Sequence, residues 1–328
     1  MHALATSDLT KDYAVGFWKK RPYRALDHLT LDVQPGEVFG FLGPNGAGKT
    51  TTLKLLMQLV FPTSGQAELL GRPLGDLSVR HRIGYLPENP YFYDYLTAEE
   101  LLQYFAGLFG LRPADRRARA SRLLDEVGIA GERRLQLRKF SKGMLQRVGI
   151  AQALINEPEL VILDEPMSGL DPLGRRDVRS LILRLRDRGC TVFFSSHVLS
   201  DAEALCSRVA ILARARLVTT GRLADILAFQ VRGWDLVAAG VTDALARSLE
   251  ARARTFVKIS DGRYHVELPV DPAPDRVLAD LAAAGATLVS LNPIRDTLED
   301  YFVRQVTSSD VLARDRGLGA AHAGGVQP

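Results

Sequence analysis

Cysteine is almost missing from this chain: Cys190 and Cys206 are the only two in 328 residues. Two cysteines build neither a disulfide framework nor a zinc-ligand cluster, and their scarcity points to a reducing compartment. Aromatic residues are 7% of the chain and do not interleave with the basic stretches, so nothing marks a nucleic-acid groove and no nucleic-acid partner is expected. No apolar run approaches the length that crosses a bilayer. Met1-His2-Ala3-Leu4-Ala5-Thr6-Ser7-Asp8 lacks the basic-then-apolar order of a signal peptide, so any membrane role is expected to come through a partner. The net charge is only +4, yet arginine is grouped, with Arg112, Arg116, Arg117, Arg119 and Arg122 in one stretch and Arg175 to Arg188 spanning another. These stretches read as solvated helix faces, with attraction to anionic headgroups as the sharper alternative.

What is present is an ordinary globular balance, 46% hydrophobic and 24% charged, in a chain long enough for two domains. Gly43-Pro44-Asn45-Gly46-Ala47-Gly48-Lys49-Thr50 matches the phosphate-loop pattern G-x-x-x-x-G-K-[ST] in full. It follows the apolar run Val38–Leu42, a buried strand, and precedes a helical Thr51–Met57. Glycines let successive backbone N–H groups and a helix N-terminus face polyphosphate oxygens. Lys49 is expected on the β- and γ-phosphates and Thr50 on Mg²⁺.

From about residue 36 to 212, apolar strand-like runs alternate with helical segments. Leu160–Leu163, Thr191–Phe194 and Val209–Leu212 are near-continuously apolar, as strands covered on both faces should be. The fold class that follows is α/β, a P-loop ATPase core with a mainly parallel sheet. Residues 97–157 form an Arg-rich, helix-favouring stretch, read as an inserted helical subdomain. Past residue 229 the order becomes β-α-β-β-α-β, a small ferredoxin-like α/β domain over 230–306. Residues 307–328 have little apolar content and read as a disordered tail.

Two further elements carry chemistry. Leu160-Val161-Ile162-Leu163 ends in Asp164-Glu165-Pro166; a carboxylate at that strand end, beside a phosphate loop, is placed to hold Mg²⁺, and its neighbour to polarise a water as general base. Phe140-Ser141-Lys142-Gly143-Met144 has Ser141 at an N-cap-like position before a helical Leu145–Ile155, an anion-binding helix start. With Ser168-Gly169-Leu170-Asp171 and Ser195-Ser196-His197 downstream, the ordered set over residues 5 to 225 resembles the ATP-binding subunit of an ABC transporter, of the ABC-2 export type.

That resemblance implies an ATPase whose two copies dimerise head to tail, each phosphate loop facing the partner's signature helix across ATP and Mg²⁺. Residues 43–51, through Thr51, would hold the phosphates; Thr50, Glu88 and Asp164 would hold Mg²⁺. Glu165 would be the general base, with His197 and Lys49 at the γ-phosphate. Ser141 and Gly143 would contact the γ-phosphate in trans, Asp171 would link the two sites, and Tyr13 would stack on adenine, with Phe17, Trp18 and Tyr23 as rivals around an insertion at 16–24. Lys142, Met144 and Glu88 depart from the family pattern, Glu88 replacing a glutamine. The single nucleotide domain, the C-terminal domain and the ending Leu298-Glu299-Asp300-Tyr301-Phe302 imply a separately encoded export permease and a place on the cytoplasmic face of the plasma membrane. The same ending also reads as an amphipathic helix packing on the C-terminal domain. One rival class is a non-transport ATPase acting on ribosomes or DNA, which would normally carry a second nucleotide domain, a coiled coil or zinc-binding cysteines; the other, a purely regulatory nucleotide switch, would not need Glu165 as general base.

Overall fold

The computed structural model describes residues 2–16, 21–227, 231–271, 274–295 and 298–300. The chain divides into two compact units, one reaching Leu223 and one starting at Ala224, a little before the expected boundary at 229/230. Phe17, Trp18, Thr297, Tyr301, Phe302 and the tail at 307–328 lie outside the described residues, as do Met1 and the end of the 230–306 segment.

In the first unit the elements run β1 (Leu4–Val15), β2 (Arg21–Val33), β3 (Val38–Leu42), α1 (Lys49–Leu56), β4 (Ser64–Leu69), β5 (Arg72–Pro73), β6 (Ile83–Leu86), α2 (Ala98–Leu108), α3 (Pro113–Glu126), α4 (Lys142–Ala153), β7 (Leu160–Asp164), α5 (Pro172–Asp187), β8 (Thr191–Ser196), α6 (Leu199–Leu205), β9 (Arg208–Ala213) and β10 (Arg216–Arg222). Strand order β10-β9-β3-β8-β7-β6 makes one six-stranded sheet, parallel except for β10 against β9. Every residue of β3, β7 and β8 is buried, which is why these strands read as unbroken apolar runs. Because β7, β3 and β8 are parallel neighbours, their C-terminal ends open on the same edge, where the phosphate loop and both carboxylates emerge.

A second sheet, β2-β1-β4-β5, is antiparallel. Its core residues Leu4, Leu9, Leu26, Leu29 and Leu69 pack with Phe39, Phe41, Leu53 and Phe193 of the main sheet in one core. Sequence periodicity does not show this sheet, because register shifts at Ser7–Thr10 and left-handed Asp8 (φ 49°) and His28 (φ 50°) break the alternation. Of the segment 16–24, read as an insertion, residues 21–24 belong to β2 and pair with β1, Arg21 with Val15 and Tyr23 with Tyr13.

Between β6 and β7 stand the helices expected of the inserted subdomain. Thr97 and Glu100 form a capping box at α2, Pro113 starts α3, and Ser141 caps α4. Helix α4 begins at Lys142, earlier than the apolar pattern from Leu145 suggests, because the Ser141 hydroxyl accepts from Met144 N–H. The arginines of α3 tie this subdomain together. Arg116 donates to Leu111 O, Arg119 to Ile155 O, and Arg119 and Arg122 both pair with Glu157.

A short helix, α7 (Leu223–Ile226), stands where the units meet in sequence. The second unit then runs β11 (Val231–Ala239), α8 (Asp243–Glu250), β12 (Thr255–Ser260), β13 (Arg263–Pro269), α9 (Asp275–Ala283) and β14 (Thr287–Arg295). Its sheet order is β12-β13-β11-β14, antiparallel throughout. Leu236, Val266 and Leu268 face Leu245, Leu249, Val277 and Leu281 of the two helices to form its own core.

Candidate active site

Gly43 and Gly48 let the phosphate loop lie close to the sheet. A Cβ on Gly43 (φ 155°) would come within 2.3 Å of Leu212 O, and one on Gly48 (φ 106°) within 2.5 Å of Ala25 O. No other residue fits either place. Gly48 caps α1, whose own first turn holds no acidic residue, so the helix contributes no negative charge at the end where an anion is favoured. Gly43 N–H donates to Ser196 O and Ala215 N–H to Ala47 O, pinning the loop to the end of β8 and to the β9–β10 turn.

Lys49 is buried, with Nζ 2.7 Å from Gly43 O, 3.3 Å from Pro44 O and 3.3 Å from Glu165 Oε1. The other Glu165 oxygen, Oε2, lies 2.8 Å from His197 Nδ1. An ionised carboxylate only accepts, so Nδ1 is the donor in this pair. Lys49, Glu165 and His197 thus form one chain of contacts across α1, β7 and β8.

Asp164 and Ser195 are partners in the β7–β8 ladder. Ser195 Oγ donates to Asp164 Oδ1 at 2.6 Å and accepts from Glu165 N–H at 2.9 Å, so one buried hydroxyl holds both acidic residues. Asp164 Oδ2 is buried without a hydrogen-bond partner. Burial pushes the Asp164 carboxyl above its ordinary range, against the Ser195 and Thr50 hydroxyls and Lys49; the Glu88 carboxylate adds to the rise. An orphaned carboxylate oxygen, a second carboxylate and a threonine hydroxyl form an all-oxygen donor set, which suits Mg²⁺. A raised carboxyl is neutral in folded and unfolded chains below about pH 4 and costs stability as pH rises through its folded value. Asp164→Asn is therefore expected to raise the melting temperature of the nucleotide-free protein at neutral pH. The gain disappears below about pH 4, and Mg²⁺-dependent ATP binding weakens; scanning calorimetry across pH checks both.

A cleft of about 360 Å³ gathers Tyr13, Tyr23, Ala25, Pro44, Asn45, Gly46, Gly48, Lys49, Thr50, Thr51, Glu88 and Glu165. Tyr13 is half-buried and Tyr23 exposed, so two aromatic rings stand at its mouth. Ser141, Gly143 and Asp171 are not in it. They line a separate cleft of about 470 Å³ with Lys142, Gly169 and Leu170. Asp171 caps α5 by accepting from Gly174 N–H, and Gly143 packs near Leu170.

Sequence reasoning gave no role to Ser195 or Gln146. Ser195, a hydroxyl ending a run of apolar strand residues, was a visible signal; Gln146, buried on α4, donates to Glu165 O and Pro166 O and left none. In the second arginine stretch, Arg179 pairs with buried Asp201, Arg186 with Asp187 and Arg188 with Glu126. Both arginine groups contribute ion pairs within the fold.

Residues 26–168 match the ABC transporter family. An uncharacterized ABC transporter ATP-binding protein of Synechocystis sp. is 45% identical over 97% of this chain and 86% of its own length. The bacitracin transport ATP-binding protein BcrA of Bacillus licheniformis is 42% identical over 66% of this chain and 68% of its own. Among solved structures, the dimeric post-hydrolysis state of the ATP-binding cassette MJ0796 with ADP and Pi superimposes with a TM-score of 0.63 at 25% identity, covering 67% of this chain and 98% of that one. An ATP binding subunit of an ABC transporter gives 0.61 at 34% identity, over 69% and 92%. The chain belongs to the ATP-binding proteins of ABC transporters, and it is an ATPase of that family.

Proposed function

We propose that two copies of this chain hydrolyse Mg-ATP at sites shared between them and drive a separately encoded export permease. The observation that carries this reading is the division of the phosphate-binding residues between two clefts of one protomer, 43–51 in one and Ser141 and Gly143 in the other. A head-to-tail pair brings the halves together, and the dimeric cassette that this fold matches supports that arrangement.

In the assembled site Tyr13 stacks on adenine, and the loop amides of Gly43 to Thr51 with Lys49 take the phosphates. Thr50, Asp164 and Glu88 would hold Mg²⁺, which when bound neutralises charge on the β- and γ-phosphates. Lys49 is shared with Glu165 Oε1. A γ-phosphate that draws the ammonium to itself leaves that oxygen free to accept a proton from water. His197 keeps the carboxylate oriented through Oε2 and presents Nε2 to the γ-phosphate. Ser141 and Gly143 close on it from the partner, and Asp171 stands beside them to relay between the two sites.

No helix among the described residues is long and apolar enough to cross a membrane. Transport therefore needs a partner, and the export reading is supported by the relative named for bacitracin transport and by another named as a probable multidrug transporter subunit. The chain would act at the cytoplasmic face of the plasma membrane through that permease. Tyr91, Tyr93, Tyr95 and Tyr104 are exposed beyond Glu88, an aromatic surface suited to a permease's cytoplasmic helices. Glu88→Gln is expected to keep most activity, because the oxygen ligand remains. Glu88→Ala is expected to lower transport per ATP hydrolysed by several-fold while ATP binding changes less. Paired transport and ATPase rates in reconstituted vesicles measure this, and an unchanged ratio in Glu88→Ala removes Glu88 from coupling.

A further inference from the structure

Glu165 is a non-glycine residue in the left-handed region, φ 50°, a conformation that persists only where neighbours fix it. Its N–H is held by Ser195 Oγ. Its carbonyl accepts from Ser168 N–H at 3.0 Å and from Gln146 Nε2 at 3.4 Å, and the same amide donates to Pro166 O at 3.1 Å. Gln146 is 3% exposed, so its amide has no water to exchange with, and these two carbonyls are its hydrogen-bond acceptors. Gln146 also sits on α4, the helix that Ser141 caps and whose first turn contains Gly143.

We propose that Gln146 is a positioning residue: it ties the signature helix of a protomer to the backbone of that protomer's own general base, so that phosphate held at the start of α4 for one site steadies Glu165 at the other. The inference rests on the reading that Glu165 activates water and that Ser141 and Gly143 meet the partner's nucleotide. A displacement of the carboxylate by about 1 Å suffices to cost on the order of 10²-fold in rate. The residue acts on rate and leaves ground-state phosphate contacts untouched.

Gln146→Met keeps length and burial while removing both donors. The expected result is a kcat lowered about 10–100-fold with ATP affinity within about twofold of wild type. Mixed dimers separate positioning from mere weakening of α4. Pairing Gln146→Met with Glu165→Gln leaves the only working base on the altered chain, and that dimer loses activity. Pairing wild type with the Glu165→Gln, Gln146→Met double variant leaves the working base beside an intact Gln146, and that dimer matches wild type paired with Glu165→Gln alone. Loss in the second pairing instead of the first overturns the proposal, because the effect then lies on the phosphate contact in trans. Wild-type kcat in Gln146→Met overturns it as well. Should that variant not fold, Gln146→Asn, which keeps the amide but withdraws it by one methylene, carries the same test. A dead Glu165→Gln with a normal Gln146→Met removes only this inference; wild-type turnover in both removes the reading beneath it.

Discussion

Glu165→Gln binds ATP as wild type does and turns it over about 10²–10⁴-fold more slowly, the range expected when a general base is removed. The separation follows from where the contacts lie. Lys49 keeps Gly43 O and Pro44 O at 2.7 and 3.3 Å whatever stands at 165, so the phosphate loop keeps its shape. The glutamine is isosteric, its backbone still meets Ser195 and Gln146, and its carbonyl still accepts from His197. Lost is the basicity that takes the proton of the attacking water. Nucleotide binding by fluorescence and phosphate release by stopped flow measure the two quantities. Equal losses in both would place Glu165 in binding, and wild-type turnover would remove it from catalysis.

The same variant turns from monomer to dimer on addition of Mg-ATP, and ADP does not substitute. A ligand that binds the pair better than the single chain shifts the equilibrium by its differential affinity, and here the γ-phosphate is the group that the second cleft is built to meet. Blocking hydrolysis holds that state long enough to observe it. Sedimentation velocity across an ATP titration reads the transition directly. A chain that stays monomeric at saturating Mg-ATP speaks against a nucleotide-held pair.

Much of this was legible in the residues because the deciding signals are local. Gly43–Thr50 lies between a buried strand and a helix within a few residues of itself; Asp164 and Glu165 end a strand whose five residues are all buried, and Ser141 caps its helix as its position suggests. What stayed hidden depends on distant partners. Ser195 acts on residues about thirty positions away and Gln146 on residues about twenty away, and neither partnership leaves a periodic trace. The arginines of α3 read as a basic face, although several are spent on Glu157 and on backbone carbonyls. The sheet built from β1, β2 and β4 was lost because left-handed Asp8 and His28 disrupt its alternation and β4 is largely polar.

Trans-complementation tests the shared site most directly. A Lys49→Ala chain lacks the phosphate-loop cation, and a Ser141→Arg chain carries a bulky side chain where α4 should meet phosphate; each is expected to be inactive as a homodimer. Co-expressed with different tags and purified through both, the mixed dimer holds one site made from the intact phosphate loop of the Ser141→Arg chain and the intact α4 of the Lys49→Ala chain. This dimer is expected to recover ATPase activity clearly above that of both parents, at most about half the wild-type rate because one of its two sites is lost; a mixed dimer as inactive as its two parents would overturn the shared site.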